Sequence, residues 1–138
     1  MIPLEDGTTV HAIALPEADF AFFDTRAEQL ENIKKIFECP ILFRVAVHKS
    51  AWSQGRWLKV GKVEVPAQLM EPVATFIQDP IKPENFQIYL SGNFRPATKT
   101  ECVGLSRCAV WEPSHVEDRL RDHYQGRPNI WIEQMRLK

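Results

Sequence analysis

Ten prolines and six glycines are spread along this 138-residue chain. Such punctuation predicts many turns and few long helices. Between the breaks the apolar residues fall into short runs, and several of them alternate. Thr8 to Leu15 places Val10, Ala12 and Ala14 on one face and His11, Ile13 and Leu15 on the other, the period of a well-covered strand. Asp6-Gly7 is a turn signal just before it, after a short apolar start at Ile2-Leu4. Asp19 to Asp24, with Phe20, Phe22 and Phe23, reads as a third strand, so the first segments suggest an antiparallel meander.

Further strands are predicted at Ile41 to Val47, Trp57 to Val65, Thr75 to Gln78 and Phe86 to Leu90, with a turn at Ser91-Gly92-Asn93. Ser50 to Gln54 reads as a loop or short turn, and Lys99 to Cys102 as a strand or loop. Two helices are expected. Arg26 to Glu38 carries Leu30, Ile33, Ile36 and Phe37 at helical spacing and ends before Pro40. Val116, Leu120 and Tyr124 form a stripe on the second helix, with Ser114 and Glu117 in the capping-box pattern and Gly126 as the stop. The tail from Asn129 alternates and reads as a final strand. The sum is a β-rich α+β fold, a largely antiparallel sheet or small barrel with about two helices, in a single domain over residues 1–138.

Charge is segregated. Residues 1–31 hold seven acids and one base, and residues 32–62 hold seven bases and one acid, in a chain of net charge −1. Either the two segments lie together and neutralise each other, or one presents a charged face to a partner. Near-zero net charge gives no general attraction to nucleic acid or an anionic membrane. A local cluster of Trp52, Arg56, Trp57, Lys59 and Lys62 is the one stretch with the bases and aromatics of a stacking platform. The first residues lack the basic and apolar regions of a secretory signal, and apolar runs are too short to span a bilayer. Three cysteines without CxxC spacing fit a reducing compartment, so a cytoplasmic protein is expected.

The chemistry-bearing residues form no recognised catalytic pattern. His115 and His123 lie eight apart on the second helix beside Arg119 and Asp122, without metal-ligand spacing, and His11 and His48 read as ordinary strand positions. Cys39, Cys102 and Cys108 have no companions for a zinc site. No nucleotide-binding or hydrolase motif is present. No enzyme activity, cofactor or metal is implied.

Ile41-Leu42-Phe43-Arg44-Val45-Ala46-Val47, then Gly55-Arg56-Trp57 and Gly61, then Phe76-Ile77-Gln78-Asp79-Pro80, resemble in that order the immunity protein 26 family. The start, Ile2-Pro3-Leu4-Glu5-Asp6-Gly7, is similar to the family's first hairpin. The likeness runs from near residue 2 to about residue 90. The family's usual Gly-Asp and aromatic lead-in is missing, which implies a short first edge strand. The resemblance implies a bacterial protein that binds and neutralises a cognate toxin domain, often a nuclease, without catalysis. It supplies no catalytic residues. The alternative is a non-catalytic interaction or regulatory module without a toxin partner. The candidate partner-facing set is the acids Glu17, Asp19, Asp24, Glu28 and Glu31, which can cover a basic groove, with Trp52 as an aromatic anchor.

Overall fold

A computed structural model describes residues 1–4, 7–26 and 33–138, with the side chains of residues 33 and 34 outside that description. In chain order the strands are β1 (Ile2–Pro3), β2 (Thr9–Ala14), β3 (Asp19–Phe23) and β4 (Ile41–Val47). Two one-turn helices follow, α1 (Ser50–Ser53) and α2 (Ala67–Met70). Next come β5 (Thr75–Gln78), β6 (Phe86–Leu90), β7 (Asn93–Ala97), α3 (Lys99–Cys102), β8 (Ser106–Arg107) and β9 (Val110–Trp111). The chain ends with α4 (Pro113–Gln125) and α5 (Ile130–Gln134). Two 3-10 turns lie at Pro16–Ala18 and Ile33–Glu38.

The fold is mixed α and β and rich in strands, as the alternation predicts. There are two sheets, ordered β1-β2-β3-β4-β9 and β7-β6-β5-β8, one of them curled into a half-barrel. Pairing is antiparallel except at β4–β9 and β5–β8. Leu4 donates to the carbonyl of Thr8 and closes the β1–β2 hairpin; Asp6 itself lies outside the described residues. β1 is two residues long, the short edge strand that was expected.

The pleat sorts the first sheet into two cores. Val10, Phe22, Val47 and Trp111 pack with Val116 and Leu120 of α4 on one face. Ile13, Leu15, Ala21 and Phe23 pack with Ile36 on the other. The second sheet has one smaller core of Phe76, Phe86, Ile88 and Cys102. Pro96 sits on β7, an edge strand, where a missing N–H leaves no interior ladder bond unmade. The chain visits the first sheet, then the second, then returns through β8 and β9. Its last residues dock back on the second sheet, where Arg107 donates to the carbonyls of Met135 and Arg136.

Several expectations fail. Residues 57–65 form no strand. Val63 and Val65 alternate, but they serve the second core of the first sheet by packing, and no neighbouring strand bonds them. The tail is helix α5, not a strand. Asn129 caps it by accepting from the Ile132 N–H at 3.1 Å, and Trp131, Ile132 and Met135 reach the core at helical spacing. Ser114 is not the cap of α4. Pro113 occupies the first turn, Glu112 stands at the cap without a side-chain bond, and Glu117 is engaged elsewhere. The capping box is at Thr98 and Glu101 instead, and it turns Lys99–Cys102 into a helix. The helix expected over 26–38 is a 3-10 turn at Ile33–Glu38, while 27–32 lie outside the described residues. Among the described residues the α-helices number five, and only α4 exceeds five residues.

Candidate functional site

Gly55-Arg56-Trp57 joins the end of α1 to α4. After α1 the chain reverses at Gly55, whose φ of +71° suits glycine. Trp57 then donates its backbone N–H to Ala51 at 2.7 Å, closing a tight loop. The indole turns inward and meets Phe20 and Phe22 edge-on, at centroid distances of 5.9 and 5.8 Å. Its Nε1–H would be buried without a partner, and Glu117 of α4 accepts it at 3.0 Å. The same carboxylate takes both a Nε and a Nη donor of Arg56, at 2.5 and 2.9 Å. A bidentate, charge-assisted bond of this kind is roughly twice as strong as a neutral one. It pushes the Arg56 guanidinium pKa further up.

Gln78-Asp79-Pro80 is likewise structural. The Gln78 side chain is buried and bonds Pro83 and both backbone groups of Lys138. Asp79 accepts from the N–H groups of Ile81 and Lys82, which fixes the turn and lowers its carboxyl pKa.

The acidic candidates fare differently from one another. Asp19 pairs with Arg44 on the adjacent strand, both largely covered. Here the acidic and basic segments do neutralise each other. Asp24 accepts from the Tyr124 hydroxyl at 2.9 Å; burial pushes that hydroxyl's pKa up and the Asp24 bond adds to it. Glu17 is exposed on the 3-10 turn, with φ at +63°. Glu28 and Glu31 lie outside the described residues. Trp52 is 44% exposed and rests on Phe20 at 5.3 Å. The Phe20 contact ties Trp52 to the start of β3, three residues from Glu17. Of the basic-aromatic cluster, Trp57 is buried and Arg56 is neutralised, leaving Trp52, Lys59 and Lys62 exposed.

The histidines are dispersed. His11 Nδ1 meets the buried Thr25 hydroxyl at 3.0 Å, His48 bonds Ser50, and His115 stacks on Trp131 at 3.6 Å. Among the described residues no group of three or more His, Cys, Asp or Glu could hold a metal ion. No helix of the described residues is long and apolar enough to cross a membrane. Cavities open on the surface formed by the described residues, and two of them have a defined lining. One, of about 280 Å³, is lined by Pro3, Leu4 and the charged pairs Arg56–Glu117 and Asp118–Arg121. The other, of about 420 Å³, lies on the second sheet between Ile88, Leu90, Phe94 and Leu105.

The sequence places Glu117 in a cap, and nothing in its spacing points across to Arg56 and Trp57; nor does any spacing signal join Tyr124 to Asp24.

The family model described as Immunity protein 26 matches residues 1–87. The chain belongs to that family. The match contains the first four strands, the Gly55-Arg56-Trp57 loop and Gln78-Asp79-Pro80, while Glu117 and Lys138, which hold those two motifs, lie beyond it. No curated protein and no solved structure matches the chain.

Proposed function

We propose that this chain is an immunity protein that binds a cognate bacterial toxin domain in the cytoplasm and neutralises it in a one-to-one complex, without catalysis of its own. The observation that carries this reading is the family match over residues 1–87. The toxin-facing surface is proposed at the start of β3, around Glu17 and Trp52; Glu28 and Glu31, proposed as contacts from the sequence, lie outside the described residues. Trp52 supports it as a large aromatic exposed to solvent yet held in one orientation by Phe20. Asp19 and Asp24 belong to the same acidic stretch, but their contacts with Arg44 and Tyr124 make them supports of that surface as much as contacts. A toxin with a basic groove, such as a nuclease, fits such acids, and complementary charge would speed association.

The test is size-exclusion chromatography with light scattering, using the C-terminal domain of the reading frame next to this gene. A single peak at the summed mass supports the proposal, and Trp52→Ala should weaken the complex. Two separate peaks at micromolar concentration count against that pairing. If no neighbouring domain is toxic, the interaction-module alternative takes first place.

A further inference from the structure

We propose that Arg119 is an anchor for an acidic side chain of the protein partner, a carboxylate received on a guanidinium already stacked against two aromatic rings. The proposal rests on the immunity reading and names one of its contacts.

Arg119 projects from α4 over Phe43, 3.8 Å from the ring centroid, and over Trp111 at 5.1 Å. Ring faces attract a cation but satisfy none of its five N–H donors. The acids that share α4 with it, and Asp24 bonded to that helix, are held by other partners. Glu117 holds Arg56 and Trp57, Asp118 holds Arg121 and the Trp131 indole, and Asp122 holds Arg127 and Asn129. Asp24 holds the Tyr124 hydroxyl. Among the described residues no carboxylate is paired with Arg119. The contrast with Arg44, Arg56, Arg95, Arg121, Arg127 and Arg136, each on a carboxylate, is direct.

The side chain is half-buried, so an incoming group can reach it. Burial lowers its pKa to about 10, which leaves it charged at neutral pH. An uncompensated, partly desolvated cation is costly to the free protein. A partner Asp or Glu would relieve that cost with a bidentate bond in a site the rings already shield from water.

Calorimetry with the neighbouring toxin domain tests this. Arg119→Met keeps the stem over the rings and removes the fork, and Arg119→Lys keeps the charge alone. Arg127→Met removes an exposed guanidinium that already has its acid. Arg119→Met should weaken binding by about tenfold or more, Arg119→Lys by less, and Arg127→Met by under about threefold. Binding by folded Arg119→Met within about threefold of the parent overturns the proposal.

A second measurement on the parent protein follows the Arg119 Nε–H resonance during titration with hexaglutamate. A saturable shift at Arg119, absent with hexaglutamine, supports the anchor; no shift overturns it. If the parent fails to bind the toxin domain, the immunity reading fails for that pair, and the titration alone decides Arg119.

Discussion

The two sheets differ in how they are covered. The five-stranded sheet is packed on both faces, with Phe22 and Phe23 pointing to opposite cores from adjacent positions of β3. The four-stranded sheet has one core, and it leaves Phe94 58% exposed beside a surface cavity. Antiparallel sheets tolerate a solvated face, but double coverage buries more apolar area per strand. The first sheet therefore carries most of the stability. Its coverage also comes from far along the chain, since α4 and β9 lie beyond the family-matched residues.

That division is open to breaking at several points. We propose that residues 1–138 fold as one unit. Ending the chain after residue 87 removes β9, α4 and the Glu117 carboxylate, and it should abolish cooperative unfolding, read by circular dichroism in urea. A cooperative transition in the fragment would mean that the matched stretch folds alone.

Phe22→Ala should cost about 3–5 kcal/mol, as large-to-small changes at fully buried aromatics do. Phe94→Ala should stay within about 0.5 kcal/mol. Similar losses from both in urea titrations would show that the sheets share the load. Glu117→Ala comes next, at about 1–3 kcal/mol, because it strands the Trp57 indole N–H and frees Arg56. Pairing it with Arg56→Ala in a double-mutant cycle should show coupling; additive losses would assign the whole cost to Trp57.

The smallest effect is a pH dependence at β2 of the first sheet. Burial lowers the His11 pKa below 6.5, and the nearby N-terminal ammonium lowers it further. Thr25 accepts the His11 backbone N–H and can donate to Nδ1 only while that nitrogen is unprotonated. The unfolded state therefore takes up the proton first as pH falls. The contribution is full above pH 6.5 and is lost as pH drops toward the lower folded pKa. Melting temperature should fall between pH 7 and 5, and His11→Asn should flatten the slope. An unchanged slope would place the titrating group elsewhere.

Much of the fold was legible because pleat periodicity is local. β2, β3, β4, β5 and β6 all fall where alternation and turn residues put them. What was illegible depends on partners distant in sequence. Val63 and Val65 alternate like a strand, yet whether a neighbour supplies a ladder is decided elsewhere in the chain. Asn129 and the Thr98–Glu101 box are local cap signals, masked by the alternation of Ile130 and Ile132 and by the lack of a clear period over residues 95–110. For the site, the sequence offers Trp52 as an aromatic anchor, and the structure leaves it exposed while burying Trp57 of the same cluster. Asp19 and Asp24 looked like surface acids because neither Arg44 nor Tyr124 is near them in sequence. Arg119 carries no sequence signal beyond its place beside His115 and His123, since its distinction is that no carboxylate is paired with it among the described residues.

The most direct measurement is a growth-rescue assay. The toxin domain encoded beside this gene is expressed under tight control, with and without this chain. Immunity requires that the domain alone arrests growth and that this chain restores it, with Trp52→Ala or Arg119→Met restoring less. Undiminished killing in the presence of folded, well-expressed protein would contradict neutralisation of that toxin.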